Sequence, residues 1–243
     1  MLNNRVVHEN SLLVFAKYPR PGKVKTRLTP PLSFEEGADL YSAFLCDSLE
    51  VYRRQKDCFE SVLYLSDIHD ADFAIDLLEH EDVITGSSTL DLRSQQGDVL
   101  GERLVNAFRS AFEGGSKRVC VIGTDHPSLP IGYVGKAFET LEKNDVVIGP
   151  AEDGGYYLIG MSTLHPELFV DMPWSQKNLY EELVQVIDEA GLSLHVLPSW
   201  YDVDDEDSLR KLMSSVGLRK IAPRTAQVID RLESIVGDEK DEP

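Results

Sequence analysis

Short apolar runs alternate along the chain with stretches of helical periodicity, the pattern of a parallel α/β sheet. Residues 12–16 (L-L-V-F-A) predict a first buried strand, and 118–123 (R-V-C-V-I-G) the clearest one. Further strands are predicted at 61–66, 82–85, 145–149, 156–161 and 192–197. Ser33-Phe34-Glu35-Glu36 fits a capping box, in which Ser33 and Glu36 each satisfy a free backbone amide, so a helix is expected from there to about residue 53. Helical patterns follow at 71–79, 99–113, 132–143, 175–190, 205–213 and 224–236, with Gly114-Gly115 closing the second of these. The apolar face of the last helix, Val228, Ile229, Leu232 and Ile235, is expected on the core rather than at an interface. No repeat or low-complexity linker interrupts this order. One α/β domain is expected over 1–243, ending in a frayed acidic tail at 237–243.

Charge changes the picture more than composition does. The 243 residues carry 42 Asp+Glu against 24 Lys+Arg, a formal net charge of −18. Sequence-independent binding to nucleic acid or to an anionic membrane needs the opposite sign. From Asn10 to Phe34, however, no acid occurs, and Lys17, Arg20, Lys23, Lys25 and Arg27 lie within that window. A basic island in an acidic chain points to a local anionic ligand, against the plainer alternative of a solvated basic loop. The three cysteines, Cys46, Cys58 and Cys120, match neither a disulfide framework nor a zinc spacing, and Cys120 lies in an apolar run as a buried thiol. No signal peptide or membrane span is visible, so the cytoplasm is the expected compartment.

Four segments could carry chemistry. K-Y-P-R-P-G-K-V-K-T-R-L (17–28) follows the first strand, where open α/β sheets bind ligands. Gly22 permits close backbone approach, and alternating Lys23, Lys25 and Arg27 could meet successive phosphates. G-T-D-H-P-S-L-P (123–130) places Asp125 at the end of the central strand, suited to a divalent metal or, equally, to capping the next helix. His126 beside it reads as a hydrogen-bonding loop residue rather than a ligand. G-P-A-E-D-G-G-Y-Y-L-I-G (149–160) leaves backbone amides uncovered at Gly154-Gly155, or is a plain Asp-Gly hairpin turn. W-Y-D-V-D-D-E-D-S-L (200–209) clusters acids before a helix. Asp204 or Asp205 can cap it, but Asp202 is harder to explain that way.

Taken in order, P-G-K-V-K-T-R-L, Q-Q-G-D-V-L-G-E-R-L, G-T-D-H-P-S-L-P, G-P-A-E-D-G-G-Y-Y-L-I-G and W-Y-D-V-D resemble the GT-A nucleotide-diphospho-sugar transferase superfamily over residues 12–212. More narrowly, the chain is similar to its bacterial glycosyltransferase-like branch, related to phospholactate and molybdenum-cofactor guanylyltransferases. The resemblance implies a three-layer, Rossmann-like GT-A fold with a mostly parallel central sheet flanked by helices. It implies nucleotide binding by Lys17, Gly22, Lys23, Lys25 and Arg27, and base contacts around Gln95, Gln96, Gly97 and Gly101. Asp125 and Asp202 would hold Mg²⁺ or Mn²⁺, and Asp153, Gly154 and Gly155 would line the sugar or acceptor side. Lys23, Asp125 and Asp202 are the implied catalytic residues. The sugar-transferase D-x-D survives only as Thr124-Asp125, and the G-x-G-T-R loop of nucleotidyltransferases is replaced by a Pro-rich form.

The expected activity is therefore a metal-dependent transfer from a nucleotide-activated substrate to a small-molecule acceptor. Glycosyl transfer from a nucleotide-diphospho-sugar leads, ahead of nucleotidyl transfer with release of pyrophosphate. A nucleotide-binding protein without catalysis is the third reading.

Overall fold

The computed structural model describes residues 8–85, 90–174 and 176–238, with side chains to residue 232. Among the described residues seven strands form one sheet: β1 (Asn10–Ala16), β2 (Glu60–Leu65), β3 (Asp91–Ser94), β4 (Arg118–Ile122), β5 (Val146–Pro150), β6 (Tyr156–Met161) and β7 (Leu194–Val196). Their order is β3-β2-β1-β4-β6-β5-β7, parallel throughout except for β6, which runs antiparallel to both neighbours. Among the described residues eight α-helices accompany them: α1 (Phe34–Arg53), α2 (Ala71–His80), α3 (Leu100–Glu113), α4 (Ile131–Thr140), α5 (Leu179–Glu189), α6 (Glu206–Met213), α7 (Leu218–Ile221) and α8 (Pro223–Asp238).

Alternation along the strands builds the layers. Leu12 and Val14 of β1, with Cys120 and Ile122 of β4, face one side, against Leu45 and Leu49 of α1 and Phe138 of α4. Leu13, Val119 and Val121 face the other side, against Leu104 and Phe108 of α3 and Leu183 and Ile187 of α5. A third cluster lies on the outer side of α1. There Leu40 and Phe44 meet Val24 and Leu28 of the basic loop, Val203, Leu209 and Leu212, and Ile229 and Leu232 of α8. The apolar face of α8 is thus buried on the core; Ile235 and the tail at 239–243 lie outside the described side chains and residues.

The capping box forms as expected: Ser33 Oγ accepts from the Glu36 amide at 3.1 Å, and the Ser33 amide donates to Glu36 at 2.7 Å. Two expectations are corrected and one open alternative is decided. Residues 82–85 form bends, and the third strand is Asp91–Ser94 instead. This strand pairs only with β2 at the sheet edge and is half-buried, so its charged D-L-R-S needs no apolar run. The helix expected from residue 175 starts at Leu179, and Ser175 itself is outside the described residues. The segment between β5 and β6 is the hairpin alternative, closed by the Ala151 amide on the Gly155 carbonyl at 3.0 Å. Among the described residues, no helix is long and apolar enough to cross a membrane. Cys46, Cys58 and Cys120 are unpaired, with Cys120 fully buried.

Candidate active site

The loop after β1 is held at two levels. Gly22 takes a φ of +71°, a left-handed conformation that glycine adopts without steric cost. Three residues later Lys25 takes φ 48° and ψ 34°, which costs a side chain about 1–2 kcal/mol. The burial of Val24 and Leu28 in the third core cluster offsets that cost. The twist turns Lys25 inward, and its side chain is only 2% exposed.

Buried there, the Lys25 ammonium contacts the Asp125 carboxylate and lies 3.0 Å from Asp204 Oδ1. It also sits over the rings of Tyr41 and Phe44 at 5.7 and 5.3 Å, within the range of cation–π attraction. The Tyr41 hydroxyl bonds Thr124 Oγ1 at 2.8 Å and accepts from the Lys17 amide at 3.1 Å. Burial pushes that phenol up to about 12, so it stays neutral and acts as a strut between α1 and the end of β4. Burial works against the Lys25 charge, but the Asp125 and Asp204 carboxylates outweigh it and hold the ammonium above its usual value. For Asp125, burial is likewise outweighed by the charge and hydrogen bond of Lys25, and the carboxyl is held below the usual range.

A second segment faces this pair. The Val203 amide donates to the Asp125 carbonyl at 2.8 Å and fixes residues 201–205 beside the end of β4. The acids of this segment divide their roles. Asp205 caps α6 in a reciprocal box with Ser208. Asp204 pairs with Lys25 and Arg27. Asp202 has no hydrogen bond or ion pair within the described residues. Burial, followed by the like charges of Asp125, Asp204 and Asp153, pushes its carboxyl up to about 7. The capping alternative for Asp125 does not hold, because α4 begins at Ile131 behind Pro130.

Two cavities open on either side of this junction. A basic one of about 470 Å³ is lined by Lys17, Lys23, Arg27, Ser66, Gln95 and Arg103 among others. An acidic one of about 300 Å³ is lined by Glu152, Asp153, Asp202, Asp205, Asp207 and Lys211. Arg27 and Asp204 belong to both.

The remaining expected residues fall unevenly. Lys17, Lys23 and Arg27 are exposed along the basic cavity, so Lys25, not Lys23, is the lysine in contact with the carboxylates. Gln96, Gly97 and Gly101 do not line the cavity; Gln95 and Arg103 do. Both glycines have packing reasons. A Cβ on Gly97 would stand 2.6 Å from that of Glu102, and one on Gly101 the same distance from the Phe169 carbonyl. Asp153 accepts from the Gly155 amide at 2.9 Å and shapes the hairpin turn. Gly154 lies so close to the 177 backbone that a Cβ would be 1.8 Å from the Lys177 oxygen. His126 differs from expectation: it is 2% exposed, neither ring nitrogen has a hydrogen-bond partner, and burial lowers it to about 4, leaving it neutral against Tyr157. Tyr41 and Arg103 escaped the sequence reading because each sits within an amphipathic helix and reads as core or surface.

Among the described residues, no three His, Cys, Asp or Glu side chains are grouped to hold a metal ion unaided. A Mg²⁺ ion usually takes one or two carboxylates and completes its shell with water and substrate phosphates. Asp125, open to the cleft, and the unpartnered Asp202 beside it fit that sparse donor set.

This sheet order, with ligand-facing loops at the carboxyl ends of its strands, is an α/β fold of the nucleotide-diphospho-sugar transferase type. A crystal structure from Desulfovibrio desulfuricans G20, described as a candidate nucleotide-diphospho-sugar transferase, is similar at 31% identity and TM-score 0.84, covering 95% of this chain and 97% of that one. The chain belongs to the family described as "Uncharacterized protein conserved in bacteria (DUF2064)", whose model matches residues 52–176. More distant structures share the fold alone. One is 4-diphosphocytidyl-2C-methyl-D-erythritol synthase from Anaerococcus prevotii DSM 20548 (13% identity, TM-score 0.53, 83% and 93% covered). Another is the inositol-1-phosphate CTP transferase from T. maritima (11% identity, TM-score 0.50, 90% and 96% covered). No curated protein matches the chain. The Desulfovibrio relative supports a transferase activity.

Proposed function

We propose that this chain is a cytoplasmic, single-domain, metal-dependent transferase that moves a glycosyl group from a nucleotide-diphospho-sugar to a small-molecule acceptor. The observation that carries the reading is Lys25, buried at the junction of a basic and an acidic cavity and held there by Asp125 and Asp204. The description of the Desulfovibrio relative favours the sugar donor.

Lys17, Lys23 and Arg27 bind the diphosphate, each as an exposed cation on a loop pinned by Val24 and Leu28. Lys25 and Arg27 sit where negative charge gathers on the departing phosphate. Because Lys25 is already desolvated and oriented, little reorganisation is needed as that charge develops. Asp125 and Asp202 would hold Mg²⁺ or Mn²⁺, which when bound neutralises charge on the same phosphate oxygens. Asp153 lines the acidic side, where the sugar and acceptor meet, and the hairpin turn at Gly154-Gly155 behind that cavity holds it through the Gly155 amide. Orienting both reactants contributes most, up to roughly 7–11 kcal/mol in ideal cases.

One observation favours a second reading, nucleotidyl transfer. Lys17, Lys23, Arg27 and Arg103 line the basic cavity beside the paired Lys25, a cation count that suits a triphosphate as well as a diphosphate. Thermal-shift measurements with nucleoside triphosphates and nucleotide sugars, with and without Mn²⁺, test both readings. A bound nucleotide raises the melting temperature by mass action. Release of nucleoside diphosphate identifies glycosyl transfer, and release of pyrophosphate identifies the second reading. Asp125→Asn is expected to abolish the Mn²⁺-dependent shift and to lower kcat/KM by about 100-fold or more. An unchanged Mn²⁺ response would overturn the metal assignment, and no shift with any nucleotide would overturn both readings.

A further inference from the structure

A further cavity, of about 380 Å³, lies between α1, the start of α4 and the end of α7. It shares no lining residue with the basic or the acidic cavity, so a ligand here is distinct from the donor and acceptor discussed above. Its wall is mostly apolar, with Val51, Leu129 and Ile221 among the lining side chains. One polar side chain on that wall is left over. His126 is 2% exposed, and neither of its ring nitrogens has a hydrogen-bond partner. A neutral imidazole holds one donor and one acceptor, and buried groups of this kind are paired in nearly all folded proteins, by protein, water or ligand. A molecule in the cavity can supply the partner that the chain does not. A hydroxyl suits either nitrogen, because it both donates and accepts.

Charge decides the rest of the ligand. The acids on the wall are already used: Asp47 and Glu50 pair with Arg224, and Glu50 also pairs with Arg54. Lys220, which lines the same cavity, is exposed and has no ion pair among the described residues. Helix α4 opens here behind Pro130 with no side-chain cap. Among the described residues the amides of Ile131 and Gly132 have no acceptor, and a Cβ on Gly132 would meet nothing within 4 Å. Free amides at a helix start, with an unpaired ammonium on the same cavity, favour an anion. We propose that this cavity is a second binding site, for a small carboxylic acid with an apolar body and a hydroxyl group. The carboxylate meets the first turn of α4 and Lys220, the body covers the apolar wall, and the hydroxyl pairs with His126.

Isothermal titration of the full chain with para-hydroxybenzoate, para-hydroxyphenylacetate and para-hydroxyphenylpropanoate tests this, the three acids setting hydroxyl and carboxylate at increasing separations. Each is compared with its deoxy analogue and with its neutral carboxamide. The expected result is that the tightest of the three binds about tenfold more tightly than its deoxy analogue, one hydrogen bond's worth. Its affinity also exceeds that of the carboxamide. Lys220→Met is expected to weaken the acid about threefold and leave the carboxamide unchanged, as for an exposed ion pair. His126→Phe is expected to erase the advantage of the hydroxyl. Saturating inorganic tripolyphosphate should leave the affinity within about twofold, because the two cavities share no residue. Failure of all three acids to bind, or equal affinities with and without the hydroxyl in the unaltered chain, would overturn the assignment. Displacement of the acid by tripolyphosphate would overturn it too, by placing the acid on the cations of the basic cavity. A chain that binds the acid but not tripolyphosphate keeps this inference and loses the phosphate-cleft reading. The comparisons within the unaltered chain stand even if His126→Phe folds poorly.

Discussion

The basic and acidic cavities share Arg27 and Asp204 but settle their charges in opposite ways. On the basic side the critical cation is buried, paired with two carboxylates and seated on aromatic rings. On the acidic side Lys211 has a comparable setting in outline, 4.1 Å from the Tyr201 ring and paired with Glu152, but half its side chain is in water. Asp202, which lines the acidic cavity, has no partner among the described residues. The difference teaches where the protein is complete and where it waits for a ligand. The basic loop carries its own counter-charges at Lys25 and leaves Lys17 and Lys23 open for an anion. The acidic turn sets Asp202 beside the like charges of Asp125, Asp204 and Asp153, a repulsion that a bound cation would relieve.

Substitutions that treat the two sides alike should expose the contrast. Lys25→Met strands Asp125, leaves Asp204 to Arg27 alone, and is expected to cost about 3 kcal/mol in urea unfolding, as for other broken buried pairs. Gly154→Ala drives a methyl into the Lys177 carbonyl and is expected to cost about 2–3 kcal/mol, whereas Gly22→Ala, which meets only the Phe34 ring at an ordinary 3.8 Å contact and strains its φ, costs about 1. Equal costs for the two glycines would erase the distinction between a packed hairpin and an open loop. Asp202→Asn should act with the opposite sign: the metal-free chain gains up to about 1 kcal/mol as like-charge repulsion is removed, while Mn²⁺ affinity by calorimetry falls about tenfold or more. Lys211→Met should be smallest, within about 1 kcal/mol and further reduced by salt, as for exposed ion pairs. If Lys211→Met costs as much as Lys25→Met, burial is not what separates the two cavities.

Much of this architecture was legible in the residues, and the gaps have physical causes. β1 and β4 are covered on both faces, so their apolar runs announce them. β3 is an edge strand whose half-exposed faces tolerate D-L-R-S, and no hydrophobic signal survives. The direction of β6 is invisible because an apolar run has no polarity. The hairpin turn before it was one of two readings of Asp153-Gly154. In the site, residue types and order pointed to a phosphate loop facing carboxylates. The choice of Lys25 over Lys23 was hidden, because it depends on a left-handed residue that buries Val24 and Lys25 in succession and breaks any alternating pattern. Gln95 carried a signal within the Q-Q-G stretch, but which of the two glutamines faces the cavity follows only from the strand end that holds it.

The third core cluster ties the basic loop to the C-terminal helices. Val24 and Leu28 are buried with Leu209 and Leu212 of α6 and Ile229 and Leu232 of α8, outside the two layers that cover the sheet. The loop therefore belongs to a cooperative unit with the C-terminal helices, able to open while the sheet persists. Hydrogen exchange should find the hydrogen-bonded amides of Leu28 and Leu32 opening with those of α8 at one free energy, below that of β1 and β4. Ligand affinity then becomes sensitive to helices that never touch the ligand, because the open form cannot bind.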